Sequence, residues 1–208
     1  MATPLRRDAA RNRERLVDAA RRCFAELGPN APLEDVARAA GVSRTTLHRH
    51  FDAREDLVAA VLEQNVATIE SEAARLVDAR DGLERLFHYL LDVQAEAPWL
   101  AHVAASGPVP AGTRALADRT AAALEPLVGQ AKDRGVLRPE LGAEDVLLTL
   151  PMAMAAQVAR EHPAGRRGSD HLRAILHHGL FTTEPPEGRA PAGTTGTPST
   201  NESAPRRR

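Results

Sequence analysis

Cysteine, aromatic residues and long apolar runs are all scarce in this chain of 208 residues. The single cysteine, Cys23, cannot form an intramolecular disulfide, so a disulfide-stapled fold is excluded. Aromatic residues make up only 3% of the chain, so Leu, Val and Ala must fill its core. No apolar run is long enough to span a bilayer or resembles a signal peptide. We therefore expect a cytoplasmic protein with no membrane partner.

Sequence motifs for catalysis and metal binding are also missing. There is no glycine-rich phosphate loop, nucleophile elbow or clustered carboxylate pair, so we expect neither an enzyme nor a cofactor. Eight histidines are present, but His48 and His50 point about 200° apart on a helix. His171 and His178 share a face at a distance of about two turns, too far apart for one ion. We expect no metal site.

The composition and the apolar spacing predict an all-α fold. Hydrophobic residues make up 43% of the chain, and they recur at three- and four-residue steps rather than in alternation. About nine helices are expected, over residues 8–27, 33–41, 44–51, 53–77, 83–97, 99–105, 113–134, 143–160 and 169–181. Asp52 is expected to cap the fourth of these helices.

Four segments follow from this pattern. Residues 1–8 are expected to be a flexible arm, 9–53 a small three-helix domain, and 54–181 a larger helical domain. Residues 182–208 are expected to be a disordered tail, since they contain no Val, Ile, Leu, Met, Phe, Trp or Tyr. The net charge is −1, but residues 1–54 carry 11 Arg/Lys and 7 Asp/Glu, against 16 and 21 in the remainder. The basic excess therefore lies in the small N-terminal domain.

The segment from Pro32 to Phe51 carries the most informative pattern. Two short predicted helices are separated by Gly41, and Ser43 is placed to cap the second helix. This is the layout of a helix-turn-helix, in which the second helix enters the major groove of DNA.

The second of these helices has two chemically different sides, since each residue turns the helix by about 100°. Leu47 and Phe51 share the side that we expect to be buried. The other sides carry only hydroxyl, imidazole and guanidinium groups and no acid: Arg44, Thr45, Thr46, His48, Arg49 and His50. An ordinary surface helix mixes both charge signs, so this surface indicates a polyanion as its partner.

The stretch GVSRTTLHRHF at residues 41–51, followed by AREDL at 53–57, strongly resembles the tetracycline-repressor (TetR) family of transcriptional regulators. The family pattern covers about residues 9–68. The resemblance implies that Arg44 and Thr45 read base edges and that Arg49 reaches a base or a phosphate. It assigns phosphate contacts, which set register rather than sequence preference, to Ser43, Thr46, His48, His50 and Arg54.

Two positions depart from the usual family pattern. His48 stands where the family usually has a tyrosine, so an imidazole replaces a phenol hydroxyl. Pro32 and Leu33 stand at the start of the second helix, where the family often has a hydroxyl residue that donates to phosphate.

Dimerisation is expected because a single recognition helix makes few contacts with DNA. The two N-terminal DNA-binding domains of a dimer, which we call the heads, can read successive major grooves. The helix over 143–160 is apolar almost all round, so it needs a partner on both sides. Together with the helix over 169–181, it is predicted to form a four-helix bundle with a second copy. The residues placed in this seam or just beneath it are Val146, Leu150, Met154, Val158, Leu172, Ile175, Leu176, Gly179 and Leu180.

The resemblance also implies a small-molecule pocket among the helices between residues 83 and 160. We place near it the aromatic and polar residues Phe87, Tyr89, Gln94, Trp99, His102 and Met152. Few polar groups converge in this region, so an apolar or weakly polar effector is expected.

These predictions describe a ligand-responsive repressor that binds a palindromic operator in double-stranded DNA as a homodimer. The residues alone leave one alternative open, a helical small-molecule-binding or protein-interaction module without specific DNA binding.

Overall fold

The computed structural model describes residues 4–28, 30–97, 99, 111–158 and 169–185. Eight helices lie in these residues: α1 (Pro4–Leu27), α2 (Leu33–Ala40), α3 (Arg44–His50), α4 (Arg54–Leu76), α5 (Gly82–Glu96), α6 (Ala111–Asp133), α7 (Ala143–Val158) and α8 (Ser169–Leu180). The same residues contain one isolated antiparallel bridge, Leu137 to Phe181, and no strand. The all-α prediction is confirmed, while the ninth helix expected over 99–105 falls almost wholly outside the described residues.

Two helix starts differ from the sequence prediction. Helix α1 begins at Pro4, inside the segment expected to be a flexible arm, because proline suits the first helical turn, where its missing N–H has no partner to lose. Asp52 was expected to cap α4, but the cap residue is Ala53. The carboxylate of Asp56 accepts a hydrogen bond from the Ala53 N–H at 2.9 Å, so the capping acid lies inside the helix.

The N-terminal core is built from α1 to α4. Its fully buried side chains include Leu16 and Phe24 of α1, Val36 of α2, Leu47 of α3 and Leu57 of α4. Because α3 contributes a single buried helical residue, its position depends on the helices on which Leu47 rests. Four helices packed around these residues form the support for the surface of α3.

A second core occupies the C-terminal helices α5 to α8, together with the end of α4. Its largest buried side chains are Phe87, Phe181, Leu86, Leu124 and Leu137, and the Phe87 and Phe181 rings meet edge to face at 5.5 Å. The chain continues into this core beyond α8, since the Thr182 hydroxyl donates to the Gly135 carbonyl at 2.7 Å. The segment assigned to the tail therefore contributes hydrogen bonds at its beginning.

Helix α4 joins the two cores. Leu57 and Val61 at its start belong to the N-terminal core, whereas Ala73 and Leu76 at its end belong to the C-terminal core. A change in the tilt of α4 against either core would therefore move one domain relative to the other. No helix in the described ranges has the length and apolar character that crossing a membrane requires.

Candidate nucleic-acid interface

The connection between α2 and α3 is a tight turn built on one glycine. Gly41 ends α2 with a φ of 65° and a ψ of 37°, the left-handed conformation that a residue with a Cβ adopts only at a cost. Ser43 then starts α3, with its Oγ accepting the Thr46 N–H at 3.1 Å. Both predicted end signals are confirmed, and together they fix the angle at which α3 leaves the turn.

The two sides of α3 differ in burial as the 100° spacing predicted. Leu47 is 0% exposed and Phe51 is 3% exposed, so they anchor the helix to the N-terminal core. The opposite surface is open to solvent at Arg44, Thr45, His48 and Arg49, while Thr46 and His50 are half-buried. No acidic side chain lies on this helix.

The hydrogen bonds that the Ser43 and Thr46 hydroxyl groups already make limit how many protons they can donate to a ligand. The Ser43 Oγ already accepts the Thr46 N–H, and the two hydroxyl oxygens lie 2.9 Å apart in a hydrogen bond of their own. One of the two hydroxyl protons is used between them, so the pair retains one proton to donate to a phosphate oxygen. The pair can therefore offer one hydroxyl proton to a ligand rather than two.

Arg44 is held by groups on both sides. Its guanidinium forms an ion pair with Glu34 in the first turn of α2, and its Nε lies 3.4 Å from the His48 Nε2. Glu34 was not among the predicted site residues. Because Glu34 occupies the guanidinium fork, Arg44 must leave this carboxylate to reach a base or a phosphate. Arg49 has no carboxylate within ion-pair distance among the described residues.

Arg54 has a structural contact in addition to its predicted role. Its Nη1 donates to the carbonyl oxygen of Ala31, in the connector between α1 and α2. Ala31 is 1% exposed, so this bond satisfies a buried carbonyl and ties the start of α4 to that connector. Local sequence patterns do not indicate this bond, because 23 residues separate the partners.

The residues predicted to surround one effector pocket do not lie together. Phe87 is in the C-terminal core, whereas Trp99 packs against Phe24 in the N-terminal core, with ring centroids 5.3 Å apart. Met152 is 55% exposed. Gln94 is buried and Tyr89 is half-buried, while His102 falls outside the described residues. Phe87 lies within α5, whereas Trp99 follows the end of that helix, so the two side chains pack in different cores.

A cleft of about 410 Å³ lies instead between α4 and α6. Its apolar floor is formed by Ala73, Ala74, Val77, Ala122, Ala123, Pro126 and Leu127. Glu70 and Arg119 form its polar edge, where the Arg119 Nε and Nη2 donate to the Glu70 carboxylate at 2.9 and 2.7 Å. The hydrogen bond raises the pKa of Arg119 and lowers the pKa of Glu70, so both groups stay charged.

The predicted dimer seam divides into buried and exposed parts. Val146, Leu176 and Leu180 are buried in the protomer's own core. Leu150, Met154 and Leu172 are half-buried, Ile175 and Gly179 are exposed, and the side chain of Val158 lies outside the described residues. Leu148, which was not predicted, is 61% exposed on α7. The outward apolar face therefore consists of Leu148 and Met152 on α7 and Ile175 on α8.

Comparison with known proteins places this geometry in a family context. Residues 16–61, which span α1 to the first turns of α4, match the family described as bacterial regulatory proteins, tetR family. A segment of 75 residues is 36% identical to an HTH-type transcriptional regulator of Mycobacterium tuberculosis, and one of 84 residues is 38% identical to the HTH-type transcriptional repressor LfrR of Mycolicibacterium smegmatis.

These sequence matches cover only part of each protein. They take in 35% and 39% of this chain, and 37% and 43% of the two relatives' own lengths. Solved structures extend the likeness to both domains. A TetR transcription regulatory protein from Mycobacterium vanbaalenii is 26% identical, with a TM-score of 0.64 over 86% of this chain and 99% of that one. A TetR transcriptional regulator from Streptomyces coelicolor is 27% identical, with a TM-score of 0.58 over 81% and 98%.

Proposed function

This chain belongs to the tetR family of bacterial regulatory proteins, and from that premise we propose that it is a transcriptional repressor. As a homodimer it binds a palindromic operator in double-stranded DNA, and it releases this operator when a small molecule binds. It acts in the bacterial cytoplasm, where operators are accessible. The proposal contains three parts: a DNA-reading surface, a dimer and an effector site.

The acid-free surface of α3 is the observation that carries the proposal. Leu47 and Phe51 hold one side of the helix in the core, so the hydroxyl, imidazole and guanidinium groups on the remaining sides face solvent. The like charges on this surface repel one another in solvent, and the surface is complementary to a polyanion. It lies inside the segment that matches the family.

We assign base contacts to the front of this surface and phosphate contacts to its edges. Arg44 and Thr45 would reach base edges in the major groove, where arginine pairs with guanine through two hydrogen bonds. Arg49 would reach a base or a phosphate. The phosphate-contacting residues would be Ser43, Thr46, His48, His50 and Arg54. The Arg44–Glu34 pair would keep the guanidinium extended until DNA replaces the carboxylate.

The exposed apolar face of α7 and α8 supports the homodimer. Leu148, Met152 and Ile175 are each more than half exposed, and contiguous exposed apolar residues of this kind mark interaction sites. Gly179 lies one turn after Ile175, and a Cβ there would meet no atom of the same protomer. The glycine therefore leaves room for a second helix to approach closely. Two copies would place the heads about 34–36 Å apart or a multiple of that.

The cleft between α4 and α6 is the effector site that the geometry supports best. Its volume of about 410 Å³ lies within the usual range for small-molecule sites, about 300–1,000 Å³. Pro126 has no N–H to donate to the carbonyl of Ala122, so that carbonyl offers an acceptor beside the cleft. Because α4 joins the two cores, a ligand that separates α4 from α6 would shift the head away from its DNA-competent position.

Selection of duplexes from a random pool, followed by fluorescence anisotropy at several salt concentrations, tests the DNA-binding part. Arg44→Ala should reduce discrimination between the selected and a mismatched duplex by about 1–3 kcal/mol. Arg54→Gln should instead weaken binding to all duplexes alike and reduce the magnitude of the salt slope by about two, one for each protomer of the dimer. Glutamine is used because it keeps a donor for the Ala31 carbonyl.

The outcomes separate the proposal from its rival. Wild-type protein that selects no sequence and shows no salt-dependent binding would identify a helical ligand-binding or protein-interaction module instead. If both variants bind as wild type does, the assignment of contacts is wrong. A screen of small molecules by thermal shift, with release of the selected duplex as readout, tests the effector part.

A further inference from the structure

The first half of α1 lies outside the hydrophobic core. No side chain from Asp8 to Arg15 is buried: seven are exposed and Asn12 is half-buried. The first core residue of the helix is Leu16, which is 0% exposed. Helix α1 therefore has a core half, Leu16–Leu27, and an extension, Pro4–Arg15, in which none of the side chains described, from Asp8 onward, is buried.

The charge of this extension is unfavourable for a helix start in isolation. The first turn contains no acidic residue, although the positive end of the helix dipole lies there and favours acids. Arg6, Arg7, Arg11, Arg13 and Arg15 outnumber the acids Asp8 and Glu14 in the extension. Helices without a packed face are only marginally stable in water, so an anionic partner would stabilise this one.

Contacts place the extension beside both ends of α3. The guanidinium carbon of Arg13 lies 5.3 Å from the centre of the Phe51 ring, just after α3. The Arg15 Nη2 lies 2.6 Å from the point that a Cβ on Gly41 would occupy, just before α3. The extension is therefore continuous with the surface that reads DNA, and both have the same sign of charge.

Three arginines of the extension lack an acidic partner among the residues that the structure describes. In the described part of the chain, Arg11, Arg13 and Arg15 have no carboxylate within 4 Å, whereas Arg21 in the core half lies 3.8 Å from Asp18. Their charges are not neutralised within the described protomer. Guanidinium groups arranged along a helix are suited to phosphate oxygens, with which they form charge-assisted hydrogen bonds.

We propose that the extension Pro4–Arg15 is a second DNA-contacting element, in which Arg11 and Arg15 bind backbone phosphates that flank the base pairs read by α3. The inference rests on the proposed function, since it requires an operator. Arg11 and Arg15 are four residues apart and so share one face of the helix. Their contacts carry no base preference but lengthen the operator that the protein requires.

The double variant Arg11→Gln/Arg15→Gln tests the proposal against the matched control Arg21→Gln/Arg22→Gln. The control removes the same charge from exposed positions in the core half of the same helix. Anisotropy is measured on two duplexes, one with long flanks and one trimmed to the base pairs that the recognition helices protect. Circular dichroism and thermal melting establish that each variant is folded.

On the long duplex, the extension variant should lose about four counterions from the salt slope, because the homodimer loses four phosphate contacts and each contributes about 0.9. Its affinity should fall at least about tenfold. Wild-type protein should lose the same affinity when the flanks are trimmed, whereas the extension variant should be indifferent to trimming. The control should respond to trimming as wild type does.

Two results would overturn the inference while leaving the proposed function intact: a wild-type salt slope for the extension variant on the long duplex, or an equal loss in the control. Absence of any salt-dependent binding by the wild type would overturn the proposed function itself, and the extension's role with it.

Discussion

At the scale of single residues, two buried histidines join α5 to α8 through a chain of hydrogen bonds. The His177 Nε2 lies 3.1 Å from the Thr183 carbonyl, which can only accept, so this nitrogen carries a hydrogen. The His177 Nδ1 must then accept from the His88 Nε2 at 3.1 Å. The His88 Nδ1 in turn accepts from Arg173 at 3.3 Å. This sequence of donors is consistent only with two neutral rings.

The surroundings of the pair favour the neutral forms. Burial, the Arg173 charge and the neighbouring His177 lower the pKa of His88 from 6.5 to about 4, against the weaker effect of Asp92. Burial also lowers the pKa of His177, and the Thr183 carbonyl and Glu84 oppose this shift only in part. A proton added to either acceptor nitrogen, the His177 Nδ1 or the His88 Nδ1, would leave that nitrogen pointing an N–H group at the N–H of its neighbour.

Stability should therefore fall in mild acid. Between about pH 6.5 and 4 the unfolded chain binds the proton that folded His88 excludes, so the free energy of unfolding decreases as pH falls through this window and is fully retained above it. The loss attributable to His88 should be of the order of 2 kcal/mol. Urea titrations at pH 7.5 and pH 5 measure it.

A His88→Gln variant separates this effect from general acid sensitivity. The variant should be less stable at pH 7.5, since the hydrogen-bond chain is broken, but its stability should change less between the two pH values. His171→Gln, at an exposed position on α8, should behave as wild type. Equal pH dependence in all three proteins would show that the pair does not exclude protons.

At the scale of elements, the ends of helices are where local chemistry decides the structure. Gly41 and Gly135 both end helices with a positive φ, 65° and 68°. They differ in their neighbours: a Cβ at Gly135 would meet nothing within 4 Å, whereas one at Gly41 would displace the Arg15 guanidinium. A substitution therefore strains the backbone at both glycines but moves Arg15 only at Gly41, so comparing the two variants separates these effects.

Gly41→Ala and Gly135→Ala should each lower the free energy of unfolding by about 1–2 kcal/mol, because an L-residue in the left-handed region bears that cost. Only Gly41→Ala should also weaken operator binding severalfold, since it disturbs the turn before α3 and moves Arg15. Denaturant titration and anisotropy on the same samples measure the two effects. A similar loss of DNA affinity in both variants would mean that the turn and Arg15 have no special role.

The sequence was informative wherever a signal and its effect lie within a few residues. Gly41 and Ser43 were identified from local capping chemistry, and the burial of Leu47 and Phe51 followed from helical spacing. The cap of α4 was misassigned because Asp52 and Asp56 are both acids near the helix start, and only the backbone geometry selects between them.

Contacts between distant segments were not predictable in this way. The bond from Arg54 to Ala31 and the Arg44–Glu34 pair depend on how helices cross, which periodicity does not report. Periodicity also shows that a residue is buried without showing in which core. Phe87 and Trp99 were therefore grouped in one pocket, although Phe87 in α5 and Trp99 after its end belong to different cores.

At the scale of the whole molecule, α4 and the dimer face define how a signal would reach DNA. Arg119 of α6 binds Glu63 and Glu70 on α4, so the cleft is bounded by ion pairs that hold α4 in place. An effector would need to weaken these ion pairs so that α4 can tilt. That tilt would change the distance between the two heads only if the C-terminal helices of one protomer are fixed to those of its partner. The mechanism therefore depends on a rigid dimer.

Ile175→Glu tests that requirement, with Leu27→Glu as its matched control. Ile175 is 54% exposed on α8, in the proposed dimer face, and Leu27 is 57% exposed at the end of α1, in the N-terminal domain. A charge at Ile175 would lose its hydration in the seam, which is costly. Sedimentation velocity at micromolar protein should therefore show a monomer. Operator affinity should fall at least about a hundredfold, because each DNA-binding domain then binds singly. Leu27→Glu should remain a dimer of wild-type affinity. Wild-type protein that sediments as a monomer, or an Ile175→Glu variant that stays dimeric, would show that this face is not the seam, and the head-spacing mechanism would lose its basis.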